Sequence, residues 1–136
     1  MDAELVLDAK ATLGEGAIWP TRGERLYWID IEPGRLHIFN PADGSDRVFD
    51  VGQMIGTVLP RACGVMMLVL QHGFAAFDPH TGQVNLWSNP EEHLPQNRFS
   101  DGKCAPAGRF WAGTLSFNRL SRPGDRLVAC SGWYGP

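Results

Sequence analysis

No window of useful length carries apolar residues at helical spacing, and 16 glycines and 10 prolines interrupt the chain too often for long helices. Excess positive charge is missing as well. Twelve Lys and Arg stand against 15 Asp and Glu, for a formal charge of -3, and the basic residues do not cluster. No nucleic-acid partner is therefore expected. The longest apolar run, residues 64–70, is far shorter than the ~20 residues a membrane-spanning helix needs, so no membrane partner is expected either. Asp2 and Glu4 stand where a secretory leader carries basic residues, and a cytoplasmic location is the expectation. Cys63, Cys104 and Cys130 are odd in number and widely spaced, which argues against a disulfide framework and a zinc site. Cys63 and Cys104 read as small core residues of a reduced protein. The histidines His37, His72, His80 and His93 share no H-x-x-x-H spacing and read as surface or strand-edge residues rather than ligands. Ser88, Ser116 and Ser121 lie outside any G-x-S-x-G context, so serine-hydrolase chemistry has no support.

What remains, at 43% hydrophobic and 20% charged, is an ordinary globular composition with an all-β pattern. Candidate strands occupy residues 17–19, 25–31, 35–39 and 46–51, each bounded by Gly, Pro, Asn or Asp. A second set follows at 56–59, 65–70, 73–78 and 83–87. The two sets share turn chemistry: Phe39-Asn40-Pro41-Ala42-Asp43-Gly44 returns as Phe77-Asp78-Pro79-His80-Thr81-Gly82, 38 residues on. Proline presets the turn and glycine supplies a positive φ. A period near 40 with four short strands is that of a propeller blade. A third unit begins at residues 104–114, which match the second-strand positions 23–28 and 63–67. The expectation is thus a β-propeller, here about two and a half blades of four-stranded antiparallel sheet. The aromatics Trp19, Tyr27, Trp28, Phe39, Phe77, Trp87, Phe110 and Trp111 recur at equivalent strand positions and read as inter-blade core.

Two segments carry groups suited to a ligand. In Leu13-Gly14-Glu15-Gly16-Ala17-Ile18-Trp19 a carboxylate sits between two glycines, where the chain bends freely and a ligand can come close. Such an oxygen suits a hard divalent cation. By residue type alone, Glu15 reads as a solvated turn glutamate. The second segment is the polar, turn-forming heptad Asn97-Arg98-Phe99-Ser100-Asp101-Gly102-Lys103, followed by a Pro106-Ala107-Gly108 turn and the short aromatic strand 109–114. Asp101-Gly102 reads as a tight turn, with Asp101 and Asn97 ordering the loop and Lys103 solvated.

Together these segments resemble the gluconolactonase and regucalcin (senescence marker protein) family of metal-dependent sugar lactonases, over Leu13 to about Phe117. The resemblance implies a six-bladed propeller, of which residues 1–117 form the N-terminal part. From Asn118 the sequence departs from the family pattern, and residues 118–136 read as a tail in a shifted frame or a truncation. The resemblance makes Glu15 a metal ligand, for Ca²⁺, Zn²⁺, Mn²⁺ or Mg²⁺, and makes Arg98 a contact to the lactone's oxygens. Ser100 takes the place of a second substrate-binding asparagine with a shorter hydroxyl, and Asn118 falls where some members carry an acidic substrate contact. No general base is assigned, because the family's later-blade asparagine and aspartate have no counterpart in this chain. The implied activity is metal-dependent hydrolysis of a sugar lactone, incomplete in these 136 residues. A non-enzymatic calcium-binding or interaction propeller, or an inactive fragment, stand as the alternatives.

Overall fold

The computed structural model describes residues 1–20, 23–61, 64–118 and 126–130. Its regular structure is entirely β, and no helix among the described residues is long and apolar enough to cross a membrane. The first sheet contains β1 (Gly14–Ile18), β2 (Leu26–Asp30), β3 (Arg35–Asn40) and β4 (Ser45–Asp50), paired in chain order. The second repeats it with β5 (Ile55–Pro60), β6 (Met66–Leu70), β7 (Gly73–Asp78) and β8 (Gln83–Ser88). The third contains β9 (Asn97–Cys104), β10 (Phe110–Ser116) and β11 (Arg126–Cys130). All the pairings are antiparallel. The two four-stranded sheets fall where the repeat of strands and turns places them. β11 lies in the segment that the sequence reading expected to leave the pattern; backbone pairing needs no particular side chain.

The repeated hairpin is built the same way twice. Gly44 N–H donates to Asn40 C=O and Gly82 N–H to Asp78 C=O, both at 2.8 Å, with the glycines at φ 73° and 74°. The residue opening each turn also accepts a bond on its own side chain, from Ala42 N–H to Asn40 Oδ1 and from His80 N–H to Asp78 Oδ1. In the first hairpin, hydrogen bonds from Ser45 hold the Asp43 carboxyl below its usual range.

Burial follows from stacking sheet on sheet. Met66, Leu68 and Leu70 of β6 turn to the first sheet and pack with Ile29, Leu36, Ile38, Ile55 and Phe77. Met67 and Val69 turn the other way, onto Phe99, Phe110 and Ala112 of the third sheet. Every residue of β6 is therefore buried, which explains why the run reads as continuously apolar while still alternating. Edge-on aromatic pairs bridge both seams, Phe49 with Phe77 at 5.0 Å and Phe74 with Phe110 at 5.8 Å between ring centroids.

Some expectations need correction. Trp19, Trp87 and Trp111 are exposed, at 53%, 49% and 39%. They lie beyond the end of β1, on the outermost strand β8 and on the exposed face of β10. His37 is no surface residue. It is buried in the middle of the first sheet, stacked on Trp28 at 3.8 Å, with Nδ1 2.6 Å from Asp46 Oδ2. Its flanking apolar residues gave no sign of this diagonal partner on β4. Cys104 is a partly buried free thiol against the second core cluster, whereas Cys63 lies outside the described residues.

Two substitutions should separate packing from backbone conformation. Phe77→Ala removes a ring shared by two sheets and should cost about 3–5 kcal/mol. Gly44→Ala meets no atom within 4 Å, so only its left-handed φ is penalised, by about 1 kcal/mol. Urea unfolding of both variants beside the parent chain checks the ordering.

Candidate functional site

The first strand of each sheet contacts its counterpart in the next, with β5 between β1 and β9. Their registers coincide. Gly14 lies opposite Asp30, Ile55 opposite Leu70 and Phe99 opposite Thr114, each partner being four residues into its strand. Glu15, Gly56 and Ser100 each follow that rung by one residue, so they hold equivalent positions on the three first strands. A Cβ on Gly56 would fall 2.2 Å from the Ser100 carbonyl oxygen, and only a glycine lets β5 and β9 approach this closely. All three strands also break register within about a residue of these positions, after Glu15, at Gly56 and at Ser100-Asp101. Bulges of this kind bend a strand and re-aim its side chains.

Two of the sequence expectations change here. β1 begins at Gly14, so Glu15 sits inside a strand rather than ahead of one. The heptad 97–103 is likewise strand and not turn, because its surplus residues are absorbed by the bulge. Gly102 serves packing: a Cβ there would lie 2.3 Å from the Phe110 ring. Asp101 Oδ1 does accept the Gly102 N–H at 2.8 Å, and the exposed Lys103 is solvated as expected.

Glu15 is exposed. The stretch leading to it is fixed by a residue that the sequence reading passed over: Asp30, 2% exposed, accepts the N–H groups of Thr12 and Leu13 at 3.0 and 2.7 Å. Its only outward signal is an acid closing the otherwise apolar strand Leu26–Asp30. Arg98 stands opposite Leu115 on β10, half-buried, with its guanidinium 5.7 Å from the centre of the Phe117 ring and its Nε without a hydrogen-bond partner. Asn118 is held near that end of the sheet, its N–H donating to Ser116 Oγ while Phe117 N–H donates to Gln96 C=O. Arg98 and Asn118 therefore lie towards one end of the third sheet, with Ser100 two residues further along β9.

The opposite ends of β1, β5 and β9 meet around a cleft of about 980 Å³, lined among others by Trp19, Tyr27, Arg61, Asp101 and Lys103. Partial burial pushes the Tyr27 phenol up, against the pull of Arg25. Neither Glu15 nor Arg98 lines this cleft. The three strands consequently run in parallel sense, with Glu15 and Arg98 towards their starting end. No group of three His, Cys, Asp or Glu side chains that could hold a cation occurs among the described residues. A lone exposed carboxylate does not meet the ligand number a hard divalent cation takes, so these residues do not fit a resident metal by themselves.

Sheets that repeat about one axis with their first strands innermost define a segment of a β-propeller. The family model for the SMP-30/gluconolactonase/LRE-like region matches residues 13–131, and the chain belongs to that family. It is 40% identical over 127 residues to a 6-deoxy-6-sulfogluconolactonase of Pseudomonas putida, covering 90% of this chain and 42% of that protein. It is 36% identical over 110 residues to an L-arabinolactonase of Azospirillum brasilense, covering 79% of this chain and 36% of the relative. Among solved structures, a calcium-binding protein, regucalcin, from Agrobacterium tumefaciens superimposes with a TM-score of 0.81 at 24% identity, covering 90% of this chain and 41% of the other. That likeness shows the fold. The chain spans about two fifths of the length of these relatives.

Asp30→Ala should release the stretch ahead of Glu15. Losing two backbone bonds to a buried carboxylate should cost about 2–3 kcal/mol. Amide hydrogen exchange at Thr12 and Leu13 should accelerate with it, and unchanged protection there would show that Asp30 does not fix this stretch.

Proposed function

We propose that this chain forms part of a sugar lactonase ring in which Arg98 grips the lactone and Glu15 contributes one ligand to a divalent cation. The observation that carries this reading is the equivalent register position of Glu15 and Ser100 on the first strands either side of β5, where all three strands bulge, with Arg98 two residues from Ser100. The sugar-lactone substrates in the names of the relatives support the substrate class. A guanidinium presents a rigid fork of donors to ring and carbonyl oxygens, and the Phe117 ring beneath it favours one orientation. Ser100 can donate to and accept from a sugar hydroxyl, with a shorter reach than an amide, and Asn118 borders the same end. The remaining cation ligands and the base that activates water would come from outside these residues.

The test is lactone hydrolysis and calorimetric metal titration, with Ca²⁺, Zn²⁺, Mn²⁺ or Mg²⁺, on this chain and on a ring completed with the rest of the Pseudomonas sulfogluconolactonase. The completed ring should turn over sugar lactones in a metal-dependent way, and the 136-residue chain should not exceed buffer hydrolysis. In the completed ring, Glu15→Gln should weaken cation binding, since a neutral amide loses the charge that holds the ion. Arg98→Ala should lower kcat/KM about 10–100-fold, the worth of a charge-assisted hydrogen bond, with metal affinity retained. Unchanged metal affinity in the Glu15 variant would move the cation site elsewhere. Metal binding without turnover in the completed ring would favour a calcium-binding role.

A further inference from the structure

The turn ahead of β9 contains a buried acid that sugar contact and core packing both leave unexplained. Glu91 is 5% exposed, and it sits in a chain of turns: Leu94 N–H donates to Glu91 C=O at 2.8 Å and Asn97 N–H to Leu94 C=O at 2.9 Å. The Glu91 carboxylate accepts a hydrogen bond from Asn97 Nδ2 at 2.9 Å, a bridge in which both residues are buried. Its other oxygen has no hydrogen-bond partner, and Arg126 Nε lies 3.4 Å away on a side chain that is 47% exposed. The bond from Asn97 and the ion pair with the half-exposed Arg126 offset only part of the cost of taking this carboxylate out of water.

Its effect falls on the next residue. Asn97 opens β9 and Arg98 follows it, and successive side chains of a strand point to opposite faces. Phe99, on the Asn97 side of the strand, packs on Phe74 of the second sheet, while Arg98 lies over Phe117. A slip of one residue would exchange these faces and carry the guanidinium into the core seam. Holding the Asn97 amide therefore fixes the face from which Arg98 projects. The buried Arg98 Nε makes no hydrogen bond of its own, so its aim depends on the backbone that carries it and on the Phe117 ring beneath.

We infer that Glu91 is a positioning residue for Arg98: its carboxylate clamps the Asn97 side chain, sets the register at the start of β9, and so presents the guanidinium to a ligand. This rests on the assignment of Arg98 to the oxygens of a sugar lactone. Glu91→Leu should remove the clamp, whereas Glu91→Gln keeps an oxygen for Asn97 and should restore it.

The test uses the full 136-residue chain labelled with ¹⁵N-arginine, with the Arg98 Nε–H signal identified by its loss in Arg98→Lys, and D-glucono-1,5-lactam as a non-hydrolysable probe. In Glu91→Leu, the Arg98 Nε–H should exchange with water at least tenfold faster and lactam affinity should fall at least tenfold, while the amide spectrum of β5 to β8 stays in place. Glu91→Gln should lie within about twofold of the parent on both measures. Asn97→Ala cuts the same bridge from the other side and carries the same expectation where Glu91→Leu does not fold. An Arg98 signal and lactam affinity unchanged by cutting the bridge would overturn the inference, as would Glu91→Gln behaving like Glu91→Leu. If neither this chain nor the completed ring binds the lactam but the Arg98 signal still answers to Glu91 and is rescued by glutamine, the positioning role stands and the lactone assignment falls.

Discussion

The two-sided burial of β6 is the constraint on which the rest of this structure depends. Five consecutive apolar residues, Met66–Leu70, must hide both of their faces, and the second sheet does that by lying between two other sheets. The first and third sheets therefore press on the second, and their first strands come together on either side of β5. The closeness at Gly56 and Ser100 follows from that pressure. Nothing polar has to draw the site strands together, because the hydrophobic seams deliver them.

The fold was legible in this sequence because its punctuation repeats. The Phe-[Asn/Asp]-Pro-x-x-Gly hairpin sets the same turn twice, and the strands on either side of it pair as the repeat requires. What failed were inferences from residue type without a neighbour in view. Aromatic spacing marks strand positions, yet whether a ring is covered depends on the adjoining sheet: Phe110 is buried and Trp111, the next residue on the same strand, is exposed. His37 went astray for the related reason that its Asp46 partner is brought alongside only by sheet pairing. The polar heptad looked like a loop because it is rich in turn formers. Two of those residues oppose one on β10, and that local irregularity lets them remain in a strand.

The candidate site was legible in part. Glu15, Arg98, Ser100 and Asn118 could be singled out as candidates, and Glu15 and Ser100 hold equivalent register positions on their strands. The buried acids behind them were invisible. Asp30 ends an ordinary apolar strand, and Glu91 belongs to an acidic pair in a turn, a context in which solvated glutamates are common. Their roles come from burial and from hydrogen bonds formed over a distance, neither of which periodicity records.

The lead-in to each first strand is nevertheless tied down in a comparable way. Asp30 accepts the N–H groups of Thr12 and Leu13 just ahead of Glu15, Gln53 Oε1 accepts the N–H of His72 beside the start of β5, and Glu91 accepts the amide of Asn97 just ahead of Arg98. The first and third holders are carboxylates, and the middle one is a neutral amide. β5 is also the strand of the three that presents a glycine, with no side chain to aim, at the equivalent position. A charged acceptor makes shorter and stronger hydrogen bonds than a neutral one, and its burial is correspondingly expensive. That cost falls on the two strands that carry candidate ligand contacts and is spared where the strand only has to pack. The distribution of charge among the three lead-ins thus follows the distribution of candidate function among the three strands.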